Sequence, residues 1–375
     1  MDRLPVSRGE ASRVVWLDRR GRNAPEQPTR LKIPSRLLSL GLLALALAAP
    51  APPLATASST IAWSRFDQSG SRAQIVAARP NGSQLQKLTD LQKNTTDIDP
   101  VISPDGTQVA LERDLTKAET SQVVVMDADG QDERVLDLGC VEPCAVDLMP
   151  SWVNSGDRIM FTRVVGPFDL PNDSARSAVL QTAMLDGTDV QRFSEPGIDG
   201  TFEDYHARFS PDGSYLVFVR IRNADLAVAI FRMDADGSNV RRLTPWGLDA
   251  DLADLSPATS GPTKDLVVFE TYGMGPPEGK SSDVVTVPAT CAPVSDCKKR
   301  FRYVTENGDG PVQSFNPSWA PNGRRIAYVR FKEGDRQTPP VGDIWTVRYG
   351  GDHRRPVSKS PRFEFRPDWG PAPSK

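Results

Sequence analysis

Two phrases alternate along most of this chain, and their alternation limits what it can fold into more than any bulk property does. The first is a turn that runs into an apolar strand. Ser103-Pro104-Asp105-Gly106 precedes TQVALER, Ser210-Pro211-Asp212-Gly213 precedes SYLVFVR, and Ala320-Pro321-Asn322-Gly323 precedes RRIAYVR; weaker copies cover 153–163 and 256–270. Pro presets φ, Asp or Asn supplies a side-chain acceptor, and Gly takes the positive φ, which is the chemistry of a tight turn between antiparallel strands. The second phrase is a strand, a Gly turn and another strand: QIVAARPNGSQLQKLT from Gln74, VVVMDADGQDERVL from Val123, LQTAMLDGTDVQRFS from Leu180, AIFRMDADGSNVRRLT from Ala229 and DIWTVRYGGDHRRPVS from Asp343. In the fifth unit its counterpart, DVVTVPAT…KKRFRYVT, is stretched by the Cys291–Cys297 loop.

Each pair of phrases encodes four short antiparallel strands. An anchor residue two before an apolar position recurs at Pro100, Pro150, Ala207, Ala253, Pro317 and Pro367, 46 to 64 residues apart. The positions two beyond it are Ile102, Trp152, Phe209, Leu255, Trp319 and Trp369, all apolar, as packing between neighbouring units requires. Four-strand units at this period are the signature of propeller blades. Complete units are predicted at 97–139, 147–196, 203–247, 249–308 and 313–360. Residues 60–90 hold three strands. The tail, FEFRPDWGP, reads as the missing innermost strand of that first blade. The expected fold is therefore all-β: a six-bladed propeller of four-stranded antiparallel blades over 58–371, closed by its C-terminal strand, with 372–375 as a tail. The DADG stretches, Asp127–Gly130 and Asp234–Gly237, read as turns, since they lack the remaining ligands of a calcium loop.

Leu37 to Ala49 is an apolar run preceded by Arg30, Lys32 and Arg36 and followed by Ala55-Thr56-Ala57. This pattern marks residues 1–57 as an N-terminal extension with a secretory signal cleaved after Ala57. The run is short for a bilayer span, so no stable membrane insertion is expected after cleavage. The four cysteines form two close pairs, Cys140/Cys144 and Cys291/Cys297; in an oxidising compartment such pairs read as disulfides, and their spacing does not suit a four-thiolate zinc site. A net charge of −3 with no basic stripe argues against nucleic acid as a partner. The sequence carries neither a phosphate-binding loop nor a G-x-S-x-G elbow, and no cofactor or metal is expected.

The paired phrases, P-x-W/F-S-P-D-G…I-A-F-x-R and M-D-A-D-G-S…R-R-L-T, closely resemble the TolB-like β-propeller family, a relative of WD-repeat propellers, over about 60–370. The resemblance implies the six-bladed fold. The family's namesake is a periplasmic protein that meets protein partners at its propeller and carries a separate N-terminal α/β domain; here a signal-like segment stands before the first blade in place of that domain. The fold serves many ends, so the resemblance is weak on function.

Propellers bind ligands at the mouth of the central channel, which the innermost strands line. Three residues before each anchor stand Asp97, Asp147, Asp204, Ala250, Ser314 and Glu364; one residue before it stand Asp99, Met149, His206, Leu252, Asn316 and Arg366. Strand alternation puts both sets on one face, with Ile98, Leu148, Tyr205, Asp251, Phe315 and Phe365 on the other. Read this way, the mouth is an acidic ring with His206 and Arg366 set in it, flanked by Asp249 and Asp251, and it attracts cations or a basic peptide segment. The competing reading is that these acids bind neighbouring blades and serve the fold. The functional expectation is an exported, periplasmic or secreted, monomeric and non-catalytic scaffold that binds a protein or peptide at this mouth. The alternative is a carbohydrate-active or metal-assisted enzyme, a lyase or hydrolase, in which His206 works with Glu203 and Asp204.

Overall fold

The computed structural model describes residues 58–166, 176–195, 201–273, 280–308, 310–332 and 341–373. The predicted signal and its cleavage site lie outside the described residues. The described residues form six four-stranded antiparallel sheets. Their innermost strands are Glu364–Pro371 in blade one, Thr95–Ile102 in blade two, Cys144–Trp152 in blade three, Phe202–Phe209 in blade four, Asp251–Leu255 in blade five and Val312–Trp319 in blade six. As the repeats predict, the last strand of the chain belongs to blade one and pairs with Ser59–Phe66, Ile61 opposite Trp369. Closing the ring with the two ends leaves no open edge at the seam.

The phrase I-A-F-x-R explains the core. Its third residue in each blade is Trp63, Leu111, Phe161, Phe218, Phe269 or Tyr328, none more than 1 % exposed. The apolar residue two beyond each anchor packs on the preceding blade: Trp152 against Val101, Ala110 and Val123, and Trp319 against Val268 and Val284. The last Thr or Ser of R-R-L-T is a latch within the blade. Its hydroxyl oxygen accepts a backbone N–H of the third strand in five blades: Ile75 to Thr89, Leu180 to Ser194, Ile230 to Thr244, Val284 to Thr305 and Ile344 to Ser358, all at 2.9–3.0 Å.

In the S-P-D-G turns the Asp105 and Asp212 carboxylates accept the N–H two residues on, and Ser103 and Ser210 close the turn from the other side. Gly106 holds a φ of +77° and abuts the backbone of Pro371, where a Cβ has no room. The DADG stretches are tight turns, with Gly130 and Gly237 at positive φ. Both cysteine pairs are disulfides. The Cys291–Cys297 loop holds a short helix, Val294–Lys299, that the loop-like sequence did not announce. No helix among the described residues is long and apolar enough to cross a membrane.

Candidate binding site in the central channel

All six residues one before the anchor are left-handed: Asp99, Met149, His206, Leu252, Asn316 and Arg366 have φ between 47° and 53°. At the same place each innermost strand slips register against its neighbour, as between Ile98 and Val101 or Tyr205 and Arg208. This is a bulge, with one residue extra on the inner strand. Non-glycine residues seldom take this conformation. Six unrelated side chains share it, Leu and Met among them, so it belongs to the architecture and not to any one side chain.

The bulge corrects the alternation argued from the sequence. The residues three and one before the anchor do not act as one set. Asp97, Asp147, Asp204 and Glu364 turn to the second strand of their own blade and meet the arginine that ends I-A-F-x-R. Arg113 grips Asp97 with two bonds (2.7 and 2.9 Å), Arg163 grips Asp147 (2.7 and 2.7 Å), Arg220 grips Asp204 (2.6 and 2.9 Å), and Arg65 meets Glu364 at 2.6 Å. Where the acid is missing the pairing changes: blade five has Ala250 and Thr271 at the two positions, and blade six sets Ser314 opposite Arg330. Burial raises the carboxyl groups of Asp147, Asp204 and Glu364, and the arginines offset only part of the rise. None of the four acids lines the central cavity.

The cavity is lined by the bulge residues, the anchors and the residues just after them: Asp99, Met149, His206, Leu252, Asn316 and Arg366 above, with Arg208, Asp254, Ser318 and Asp368 following. Arg366 Nη1 donates to Asp99 Oδ2 at 2.6 Å. Asn316 donates from its backbone N–H (2.5 Å) and its Nδ2 (3.1 Å) to Glu270 Oε2, and its Oδ1 accepts the Arg366 N–H at 3.1 Å. Glu112 accepts the Met149 N–H at 2.9 Å. Asp254 accepts the Trp319 N–H and Asp368 accepts the Ile102 N–H, each across a blade boundary. Asp251 accepts the N–H of Leu252, and its field reaches Arg366 and Asp99.

Six carboxyl groups, those of Asp99, Glu112, Asp251, Asp254, Glu270 and Asp368, thus surround two guanidinium groups, of Arg208 and Arg366. Burial raises all six; it carries Glu270, beside the charge of Asp251, to about 7 and Asp368 to about 6. Asp99 Oδ1 and His206 Nδ1 are buried without a hydrogen-bond partner among the described residues. The sequence reading missed Glu112, Arg208, Asp254, Glu270 and Asp368. One signal was available: Glu112 and Glu270 occupy the x of I-A-F-x-R, where other blades have Thr, Val or Ser.

The His206 constellation of the enzyme reading does not assemble. Asp204 is held by Arg220, and Glu203 by Arg176 and Tyr205. Burial, with Arg208 and Arg366 nearby, holds the His206 imidazole well below its ordinary pKa. His353 meets Asp352 in an exposed turn.

No family model matches this chain. An uncharacterized protein of Agrobacterium fabrum is 31% identical over 123 residues, which is 33% of this chain and 38% of that protein's length. Among solved structures, TolB from Acinetobacter baumannii superposes with a TM-score of 0.60 at 19% identity, covering 84% of this chain and 67% of that one. The putative TolB from Agrobacterium tumefaciens gives 0.55 at 15% identity, covering 84% and 99%. Hydrazine synthase of Kuenenia stuttgartiensis gives 0.59 at 13% identity, covering 84% and 47%. At such identities the likeness is one of fold, and the fold of this chain is the TolB-like six-bladed propeller.

Proposed function

We propose that this protein is an exported, monomeric, non-catalytic scaffold that binds a protein or peptide partner by a basic segment at the acidic mouth of its channel. The observation that carries this reading is the lining of the cavity: Asp99, Asp254 and Asp368 stand with Arg208 and Arg366, the charges of Asp251, Glu112 and Glu270 reach Arg366 from outside the lining, and Asp99 Oδ1 has no partner among the described residues. A lysine or arginine side chain of a partner supplies the missing donor to Asp99 and favours the ionised form of the carboxyl groups that burial raises. The two disulfides support an extracytoplasmic location, in keeping with the N-terminal pattern. The strand ends Val165 and Ser177, Glu270 and Val284, and Lys332 and Val341 lie at the face where the innermost strands begin.

The test is crosslinking and capture with the exported protein, comparing wild type with Asp99→Asn/Asp254→Asn and with Asp97→Asn. The expected result is loss of the captured partner in the first variant and in high salt, with retention in Asp97→Asn, whose carboxylate serves Arg113. An unchanged partner in Asp99→Asn/Asp254→Asn, with the fold intact by circular dichroism, overturns the reading.

A further inference from the structure

The two disulfides sit in opposite surroundings. Cys291 (3 % exposed) and Cys297 (0 %) are sealed in an apolar cluster with Phe269 and Val285. Cys140 and Cys144 are half-exposed and close the short loop that leads into the innermost strand of blade three. Three residues into that strand stands Asp147, and the donor atoms of Cys140, Cys144 and Asp147 all lie within 4.8 Å of one another. Among the described residues no other group of three His, Cys, Asp or Glu side chains is this close, the channel carboxylates included.

Hydrogen bonds hold the loop alongside its disulfide. Cys144 N–H donates to Val141 O, Gly166 N–H to Pro143 O, and the Thr120 hydroxyl to Ala145 O. Asp147 is already oriented: Arg163 Nε and Nη2 each take one lone pair of its two oxygens. A carboxylate offers about four such sites, so both oxygens keep capacity for a further partner. A carboxylate fixed by an arginine behind it is the kind of outer-shell support that metal ligands have.

We propose that Cys140, Cys144 and Asp147 form a redox-gated site for a thiophilic divalent ion of the zinc type. A dithiol reductant passes two electrons and two protons to the Cys140–Cys144 bond, becoming a disulfide itself and leaving two thiols. The ion displaces both thiol protons and is held by two thiolates and one Asp147 oxygen. Solvent completes a tetrahedron, as in sites with three protein ligands. In reverse, a disulfide of the same class takes the two thiolates' electrons and two protons from solvent to become a dithiol, the Cys140–Cys144 bond re-forms and the ion leaves. The buried Cys291–Cys297 bond has no carboxylate in such reach and stays closed.

The test uses the full chain, reduced mildly with a phosphine under anaerobic conditions, with thiol labelling to show which bond opens. Cadmium titration is followed by thiolate-to-metal absorption, and zinc binding by equilibrium dialysis. The proposal expects Cys140–Cys144 to open first and one ion to bind per chain. It expects none in the oxidised chain, none in Cys140→Ser/Cys144→Ser, and at least about tenfold weaker binding in Asp147→Asn. Because Asp147→Asn breaks the Arg163 pair and can impair folding, the cadmium-113 resonance of the wild type gives a second reading, expected to report a mixed sulfur and oxygen donor set. No binding after reduction, equal binding in the double serine variant, opening of Cys291–Cys297 first, or an all-sulfur resonance overturns it.

Discussion

Arg366, on the last strand of the chain, donates to Asp99 of blade two across 267 positions of sequence. That strand is fastened on three sides. Trp369 Nε1 reaches Ser59 in blade one, Asp368 takes the Ile102 N–H of blade two, and the Trp369 N–H meets Ser318 in blade six. Phe363 and Phe365 join Phe66 and Phe331 in an aromatic cluster across the seam. The ends of the chain are therefore held by side chains as well as by strand pairing.

Deleting residues 361–375 exposes the Ser59–Phe66 edge and removes this seam. The expected outcome is an insoluble or unfolded product, checked by size-exclusion chromatography and circular dichroism; a soluble, cooperatively melting deletion shows the closure to be dispensable. Arg366→Ala is milder. It leaves Asp99 buried without its cation and is expected to cost on the order of 3 kcal/mol in denaturant melts.

The channel carboxyl groups set a pH dependence. Burial places Glu270 at about 7 and Asp368 at about 6, and raises Asp99, Glu112, Asp251 and Asp254. A raised pKa means that the folded state keeps protons the unfolded state has lost, so stability falls as pH rises from the unfolded carboxyl range through the folded values. The turn carboxylates act the other way. Asp212, lowered to about 2 by its turn hydrogen bonds, contributes stability that is lost only in stronger acid. Thermal unfolding is expected to give a higher Tm near pH 5 than near pH 7.5. Glu270→Gln, which keeps an acceptor for Asn316, flattens that limb by on the order of 2 kcal/mol. A Tm that rises steadily to pH 7.5 contradicts this.

Strand count, blade boundaries and ring closure were legible in the sequence because they rest on local chemistry. A Pro-Asp-Gly turn and an apolar phrase mean the same thing wherever they recur, and the apolar residue two beyond each anchor reports inter-blade packing directly. The channel lining was legible only in part. Period-two reasoning holds until a residue turns left-handed, and no residue type marks the bulge, since Asp, Met, His, Leu, Asn and Arg all occupy it. The bulge breaks the parity between the residues three and one before the anchor, so Asp97 pairs with an arginine while Asp99 lines the cavity, with Asp254 and Asp368, one past their anchors, beside it. The partnership of the four acids with the repeat's arginines was readable in principle, because both are absent together in blade five.

The hydroxyl latch predicts a graded response. Thr244 is fully buried and its Oγ1 accepts the Ile230 N–H at 2.9 Å. Thr244→Val keeps the shape and leaves that donor unsatisfied, at about 1–3 kcal/mol, whereas Thr244→Ser keeps the acceptor and costs less. Hydrogen exchange at the Ile230 amide should quicken in the valine variant and stay near the wild-type rate in the serine variant.

The Asp97–Arg113 pair separates fold from site. Both side chains are buried and joined by two hydrogen bonds, and Arg113 also holds Glu133. Removing one partner strands the other, so Asp97→Asn and Arg113→Met should each cost about 3–5 kcal/mol. The pair removed together should cost clearly less than the two costs added, because neither charge is then left alone in the blade. Denaturant melts of the four proteins close this double-mutant cycle. Costs that simply add would show that Asp97 contributes to stability apart from Arg113 and would reopen the question of what else it faces. A coupling of at least about 1 kcal/mol would fix Asp97 as part of the blade, leaving charge recognition in the channel to Asp99, Asp254 and Asp368.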